Sequence, residues 1–372
     1  MDITVVIVSY RAKHFLEQTL RSVREALVGL QGEVLVVDND SADDTMAYVK
    51  PKFPEVAFIE NRENVGFARA NNQAIAQARG RYTLILNPDT IITPESIRAS
   101  IRWMDRHPDC GAIGLRMIDG NGHFLPESKR AFPTPWVSFC KIFGLSKLFP
   151  RSRFFAKYHL RYLDEQKPHA VDILAGAYMF CRTDLLQRIG GFDEDFFMYG
   201  EDIDLSFRMA SDGFSNWYLP VNILHYKGES TKKDSMRYVK VFYEAMLIFY
   251  RKHFPRFRAL VYPLIKLGVV VRQGLAIMRR IYSRALPKKN VAAGARSPWV
   301  ILSKKPDEVA RAACIRHYTT ALPHDASVNV LIDDGSYSYQ QIVDTIAANQ
   351  RGDVFYHIFA SHSQIVITPK MN

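Results

Sequence analysis

Ile3-Thr4-Val5-Val6-Ile7-Val8-Ser9-Tyr10 opens the chain as an apolar, strand-like run that ends abruptly in two side chains carrying hydroxyls. A helix-like stretch follows at Phe15–Leu27, then a second short apolar run at Glu33–Val37 and a helical Thr45–Lys50. The alternation continues with Ala57–Glu60, a helical Phe67–Ala78 and a buried-looking Tyr82–Leu86. Strands alternating with helices predict an α/β fold, with a mostly parallel sheet and helices on its faces. Ligands of such sheets bind beyond the carboxyl ends of the strands. That rule singles out Ser9-Tyr10, Asp38-Asn39-Asp40-Ser41 and Asn87-Pro88-Asp89, each polar and each following a strand.

A second feature lies downstream. Gly191-Phe192-Asp193-Glu194-Asp195-Phe196-Phe197-Met198-Tyr199-Gly200-Glu201-Asp202-Ile203-Asp204 crowds six acids among aromatics and glycines. Like charges held close need a cation, a base or a shifted pKa to compensate them, so the run is a candidate site. A capped helix starting near Glu201 is the plainer alternative, because acids favour a first helical turn.

The 372 residues suffice for one large or two medium domains, and 48% hydrophobic content is that of a globular protein. Lys and Arg exceed Asp and Glu by 49 to 38, which predicts an anionic partner: a nucleotide, a nucleic acid or an anionic membrane. Cys110, Cys140, Cys181 and Cys314 show no paired spacing, so neither a zinc site nor a disulfide framework is expected. Met1-Asp2 leads directly into the first strand with no signal-peptide pattern, and a cytoplasmic location is expected.

Between Pro133 and Tyr162 aromatic and basic residues interleave in a surface-like segment. In a second basic segment, 246–289, the apolar stretch Ala259–Val271 is broken by Pro263 and Lys266, too short to span a bilayer. It reads either as an amphipathic surface at the headgroups or as a helix packed on the core with a solvated basic face. Residues 290–298 read as a linker, and 299–372 as a small α/β unit whose Asp333-Asp334-Gly335-Ser336 has the composition of a turn.

The ordered series Val5–Tyr10, Val36–Thr45, Asn61–Gln73, Asn87-Pro88-Asp89, the acidic run and His225–Thr231 resembles the inverting nucleotide-sugar glycosyltransferases of family 2, with the Rossmann-like GT-A fold. The resemblance spans about residues 1–250 and implies a catalytic domain over 1–245. Asn64-Val65-Gly66-Phe67-Ala68-Arg69-Ala70-Asn71-Asn72 and the Asn87-Pro88-Asp89 variant look most like bacterial rhamnosyltransferase-type members.

The resemblance implies a role for each matching residue. Asp38 accepts the imide N–H of a pyrimidine, with Ser9, Tyr10 and Asn39 lining the nucleoside pocket and Asn64, Gly66 and Asn87 also on the nucleotide side. Asp89 and His225 hold a divalent cation, manganese or magnesium, against the diphosphate. Most relatives carry Asp-any-Asp where this chain has Asn87-Pro88-Asp89, which removes one negative charge from that cation. Asp202 is the expected base that deprotonates the acceptor hydroxyl, Glu201 supports it, and Asp204 is the runner-up. From the residues themselves, Gly176 offers a close approach to an acceptor and Lys227 a phosphate contact, against plain strand packing and a solvated loop.

The function expected is therefore metal-dependent, inverting transfer of a sugar, rhamnose as first choice, from a nucleoside diphosphate to a polysaccharide or polyprenyl-diphosphate-linked glycan. The enzyme is expected to be peripheral at the inner face of the cell membrane. Two alternatives are a nucleotidyltransferase, which lacks its Gly-rich phosphate loop after the first strand, and a nucleic-acid binder, against which the acidic run argues.

Overall fold

The computed structural model describes residues 1–226, 236–255, 263, 297–321, 327–349 and 354–368. Most of the expected segment 246–289, most of the linker 290–298, and Lys227 lie outside the described residues.

Among the described residues nine strands form the main sheet: β1 Ile3–Ser9, β2 Gly32–Asp38, β3 Ala57–Glu60, β4 Tyr82–Leu86, β5 Thr90–Ile91, β6 Cys110–Ile118, β7 His169–Val171, β8 Tyr178–Arg182 and β9 Ser215–His225. Their order is β3-β2-β1-β4-β8-β6-β9-β5, with β7 also paired to β9. The half holding β1–β4 is parallel, as the alternation predicts. β8 then enters antiparallel between β4 and β6, so the whole sheet is mixed.

The helices of this part are α1 Lys13–Ala26, α2 Thr45–Val49, α3 Phe67–Ile75, α4 Pro94–Arg106, α5 Pro135–Ile142, α6 Leu145–Leu148, α7 Thr183–Arg188, α8 Glu201–Ser211 and α9 Met236–His253. Each long helix buries one stripe. In α1, Leu16, Leu20 and Val23 recur at helical spacing and pack on β1 and β2 residues such as Val5 and Val36.

The smaller sheet follows the order β11-β10-β12-β13-β14, built from β10 Trp299–Leu302, β11 Tyr318–Thr319, β12 Val328–Asp333, β13 Val354–Ala360 and β14 Ile365–Ile367. Helices α10 Pro306–Ala312 and α11 Tyr339–Ala348 accompany it. Asp333 closes a turn, its carbonyl accepting from Ser336 N. This unit shares a core with the main sheet, since Val330, Ile342 and Ile346 cluster with Ile91, Leu224 and Tyr226. It is therefore packed directly behind the ends of β5 and β9.

Glu17 of α1 pins the contact. Its carboxylate accepts from Ser363 Oγ at 2.7 Å, Tyr48 Oη at 2.7 Å, Arg21 Nη2 at 2.7 Å and Lys52 Nζ at 3.1 Å. Burial alone would raise the carboxyl above its ordinary value of 4.5, but the hydrogen bonds from Ser363, Tyr48, Arg21 and Lys52 outweigh it and bring it down to about 2. A value depressed on folding contributes stability that is present above the unfolded value and is lost as pH falls through the folded one. Glu17→Gln is expected to lower stability by about 3 kcal/mol at neutral pH. Chemical denaturation at several pH values checks this: the gap between variant and parent should close between about pH 4.5 and 2.

Candidate active site

Parallel strands end on the same edge, and β1 and β2 end in register with Ser9 opposite Asp38. Asn39 N donates to Ser9 O at 2.9 Å and fixes the two strand ends together. Asp38 is buried, and its two carboxylate oxygens accept from Ser41 Oγ at 2.5 Å and Ser41 N at 3.3 Å. Burial pushes the carboxyl up, with the Ser41 hydrogen bonds working against it. Ser9 Oγ is buried with no hydrogen-bond partner among the described residues, and Tyr10 stands half-exposed beside it. Arg11, to which the sequence gives no role, closes this end. It holds a left-handed φ of 53°, stacks on Tyr10 at 5.2 Å, and donates from Nε to Ser41 O at 3.1 Å.

Asn39 and Asn64 brace each other. Asn39 Nδ2 donates to Asn64 Oδ1 at 3.0 Å and Gly66 O at 3.3 Å, while its Oδ1 accepts from Val65 N at 3.1 Å and Asn61 Nδ2 at 3.2 Å. These two amides thus brace the loop beyond the ends of β1 and β2, and the hydrogen-bonding capacity of Asn39 is largely spent within the protein. Gly66 has φ 87°, and a Cβ there would come within 2.8 Å of Phe197. Phe67 N donates to Phe197 O at 2.8 Å, Asn72 Nδ2 to Phe192 O at 2.8 Å, and Arg69 pairs with Glu194 at 2.9 Å. The Asn64–Asn72 stretch is therefore the strut between the ends of β1 and β2 and the acidic run.

Asp89 and His225 are brought together by the antiparallel pairing of β5 with β9, in which Thr90 faces His225 and Tyr226 N donates to Asp89 O at 3.1 Å. His225 Nε2 lies 3.3 Å from Asp89 Oδ1 and 3.4 Å from Asn87 Nδ2. Both Asp89 and His225 are buried, and His225 Nδ1 has no partner among the described residues. A carboxylate oxygen and an imidazole nitrogen suit a divalent ion such as manganese, which would complete its shell with phosphate and water oxygens. Among the described residues no third acid, His or Cys joins them, consistent with an amide at Asn87 in place of the usual carboxylate.

Glu201 and Asp202 open α8, where Tyr199 and Gly200 hold left-handed backbones of φ 67° and 83° that turn the chain into the helix. Asp202 Oδ2 accepts from Arg130 Nη2 at 2.5 Å and from Gly176 N at 3.4 Å, and its side chain remains 16% exposed. Glu201 is buried, and its Oε2 has no partner among the described residues. Burial first, and the Asp202 charge second, raise its carboxyl well above the usual range. Asp204 is fully buried, bonded to Arg208 Nε at 2.7 Å and His253 Nε2 at 2.6 Å. The structure thereby corrects the runner-up base: Asp204 faces α9 and is spent in a structural pair. Asp193 and Asp195 are held by Lys252, the latter at 2.7 Å.

The two ends meet through consecutive residues. Ala177 O accepts from Asn87 N at 3.1 Å, and Gly176 N points to Asp202. A Cβ on Gly176 would sit 3.7 Å from Asp202 Cβ, an ordinary contact, so the residue's value lies in its amide.

Arg130 is the residue that sequence reasoning leaves unassigned. Its guanidinium is buried, donating also to Leu174 O at 2.7 Å. Behind it Lys141 Nζ stands 3.4 Å over the buried Tyr158 ring; burial would raise that phenol, but Lys141 and Arg130 together lower it. The one sequence signal is that Arg130 lies near the start of a stretch without acids that runs from Ser128 to Leu163.

The family model described as glycosyl transferase family 2 matches residues 4–190, just over half of the chain. The chain is 29% identical over 257 residues to the N-acetylglucosaminyl-diphospho-decaprenol L-rhamnosyltransferase of Mycobacterium tuberculosis, covering 66% of this chain and 82% of that one. It is 26% identical over 218 residues to the low-salt glycan biosynthesis hexosyltransferase Agl10 of Haloferax volcanii, covering 58% and 63%. Among solved structures, the mannosyltransferase of Pyrobaculum calidifontis in complex with GDP-Man and Mn2+ aligns at 18% identity with a TM-score of 0.47, over 77% of this chain and 81% of that one.

Proposed function

The chain belongs to glycosyl transferase family 2, and from that premise we propose an inverting, metal-assisted transfer of a hexose, rhamnose first, from a nucleoside-diphosphate donor to a lipid-linked glycan. The observation that carries the reading is the single edge on which Asp38, the Asp89–His225 pair and Asp202 stand, joined through Gly176 and Ala177. Asp38 accepts the imide N–H of the pyrimidine, and the unpartnered Ser9 Oγ offers a second contact to the nucleoside. A divalent cation held by Asp89 and His225 would supply positive charge for the departing diphosphate. Asp202 takes the proton of the acceptor hydroxyl as its oxygen bonds to the anomeric carbon and the bond to the diphosphate breaks. Glu201, kept protonated by its burial, does not compete for that proton. Among the described residues no helix is long and apolar enough to cross a membrane, and the reading places the enzyme peripherally, at the inner face of the cell membrane, where a polyprenyl-diphosphate acceptor lies.

Rhamnose rests on the resemblance to rhamnosyltransferases and on the mycobacterial relative, and the pyrimidine donor on the family resemblance alone. The test is a panel of dTDP- and UDP-sugars offered with a short-chain polyprenyl-diphosphate-linked glycan and manganese, followed by NMR of the product. Transfer from dTDP-rhamnose with inverted anomeric configuration is expected. Retention of configuration, or no transfer from any donor, would overturn the reading. Asp89→Asn is expected to lower turnover roughly 100-fold and to raise the manganese concentration needed for half-maximal rate; a metal titration of the steady-state rate checks both.

A further inference from the structure

We propose that the segment 135–155, carrying α5, α6 and the loop after them, is a docking surface for an anionic lipid bilayer. The proposal deepens the lipid-linked acceptor reading above and rests on it, because it supplies the means by which Asp202 reaches an acceptor held at a membrane.

Exposed apolar side chains are ordinary when scattered and informative when contiguous. Among the described residues eight large apolar side chains are exposed, and five of them fall in this stretch, including Trp136 at 41%, Leu148 at 69% and Phe154 at 60%. They form one patch, because the rings touch each other: Trp136 lies 4.9 Å from Phe154 and 5.7 Å from Phe139, Phe139 lies 4.6 Å from Phe143, and Phe149 lies 5.1 Å from Phe155. Trp136 Nε1 donates to Phe154 O at 3.2 Å, so its polar edge is satisfied while its ring stays exposed.

The charge around the patch identifies its partner. From Ser128 to Leu163 there is no Asp or Glu, against eight Lys and Arg. Five of these, Lys147, Arg151, Arg153, Lys157 and Arg161, are exposed, and none has a carboxylate partner among the described residues. Aromatic rings flanked by unpaired cations match the bilayer interface, where rings sink to headgroup depth and each cation gains from the anionic surface. A protein partner of the same charge complementarity would have to bring acids to fixed positions; a lipid surface presents them everywhere.

The patch is also tied to the site. Ala131 N donates to Tyr158 O at 2.9 Å, closing the base of the segment, and its neighbour Arg130 holds Asp202. Ser138 Oγ lies 2.9 Å from Tyr250 Oη, which anchors α5 on α9 beside the start of α8. The proposed bilayer contact and Arg130, the residue that holds the proposed base, are thereby parts of one segment.

Flotation of the full chain with phosphatidylglycerol-containing vesicles and with pure phosphatidylcholine vesicles tests the proposal. The parent should float with the anionic vesicles only, and lose binding as salt rises. Lys147→Ser/Arg151→Ser/Arg153→Ser is expected to weaken vesicle binding roughly 100-fold, and Phe149→Ser/Phe154→Ser to abolish it at low lipid concentration. Both variants should bind the nucleotide-sugar donor as the parent does and transfer normally to a water-soluble acceptor analogue. Parental indifference to anionic vesicles overturns the proposal, as does vesicle binding retained by both variants. So does a dimer dissociated by the Phe variant without any vesicle binding, since a second copy would then cover the patch. Loss of donor binding in the parent itself would instead count against the transferase reading.

Discussion

Asp202→Asn is expected to lower the rate of sugar transfer roughly 1000-fold while leaving donor affinity within about twofold. The amide keeps the size of the carboxylate and its oxygen can still accept from Arg130 Nη2 and Gly176 N, so the local geometry is retained, while the Arg130 charge left unpaired lowers stability and the rate is read on the folded fraction. What it lacks is the ability to take a proton. Donor contacts proposed for Asp38, Asp89 and His225 lie on other strand ends and are untouched. Glu201 supplies an internal control. Its carboxyl is raised by burial and further by the Asp202 charge, so removal of that charge lets it ionise at lower pH. Residual activity in Asp202→Asn that grows with pH would report Glu201 acting as a weak substitute. Single-turnover kinetics with donor binding measured in parallel checks the claim, and near-parental turnover would remove Asp202 from the mechanism.

Arg130→Met should be the most destabilising of the substitutions considered. The guanidinium and its partner Asp202 are both largely shielded, and removal of one member of such a pair leaves the other as an uncompensated charge, at a cost of about 3–5 kcal/mol. The loss extends beyond the ion pair, because Arg130 Nη2 also satisfies Leu174 O and its charge faces Tyr158. Denaturant unfolding checks the magnitude. In the fraction that folds, kcat should fall while KM for the donor stays near that of the parent, since Arg130 positions Asp202 and touches no proposed donor contact. Arg130→Lys should recover part of both losses: it restores the charge but lacks the planar fork. A KM effect as large as the kcat effect would contradict a positioning role.

The parallel half of the sheet is legible in the sequence because its strands are short apolar runs, each ending in polar residues. Ser9, Asp38 and Asn87-Pro88-Asp89 fall at those ends, and the fold places them there. The antiparallel entry of β8 is not legible, because Tyr178–Arg182 has no feature that states its partner, and only long-range pairing with β4 and β6 decides its direction. The acidic run illustrates the same limit. Which of its members is available for chemistry depends on cations far away in sequence: Lys252 takes Asp193 and Asp195, Arg69 takes Glu194, and His253 with Arg208 takes Asp204. The Asn64–Asn72 motif reads as nucleotide-binding by resemblance, and its contacts to Asn39, Phe192 and Glu194, which tie the ends of β1 and β2 to the acidic run, are not legible in the sequence. The C-terminal unit gives no site in sequence, and its contribution emerges only from packing, with Ser363 reaching Glu17 and the apolar face of α11 supporting Leu224 and Tyr226 beside His225.

In the proposed mechanism one strand edge binds a nucleoside diphosphate through Asp38 and, with a divalent cation, through Asp89 and His225. Calorimetric titration of the protein with dTDP and UDP, with and without manganese, tests it without knowledge of the acceptor. Saturable one-site binding is expected, strengthened roughly tenfold by manganese, with the strengthening lost in Asp89→Ala. Absence of binding, or equal affinity with and without the metal, would contradict it.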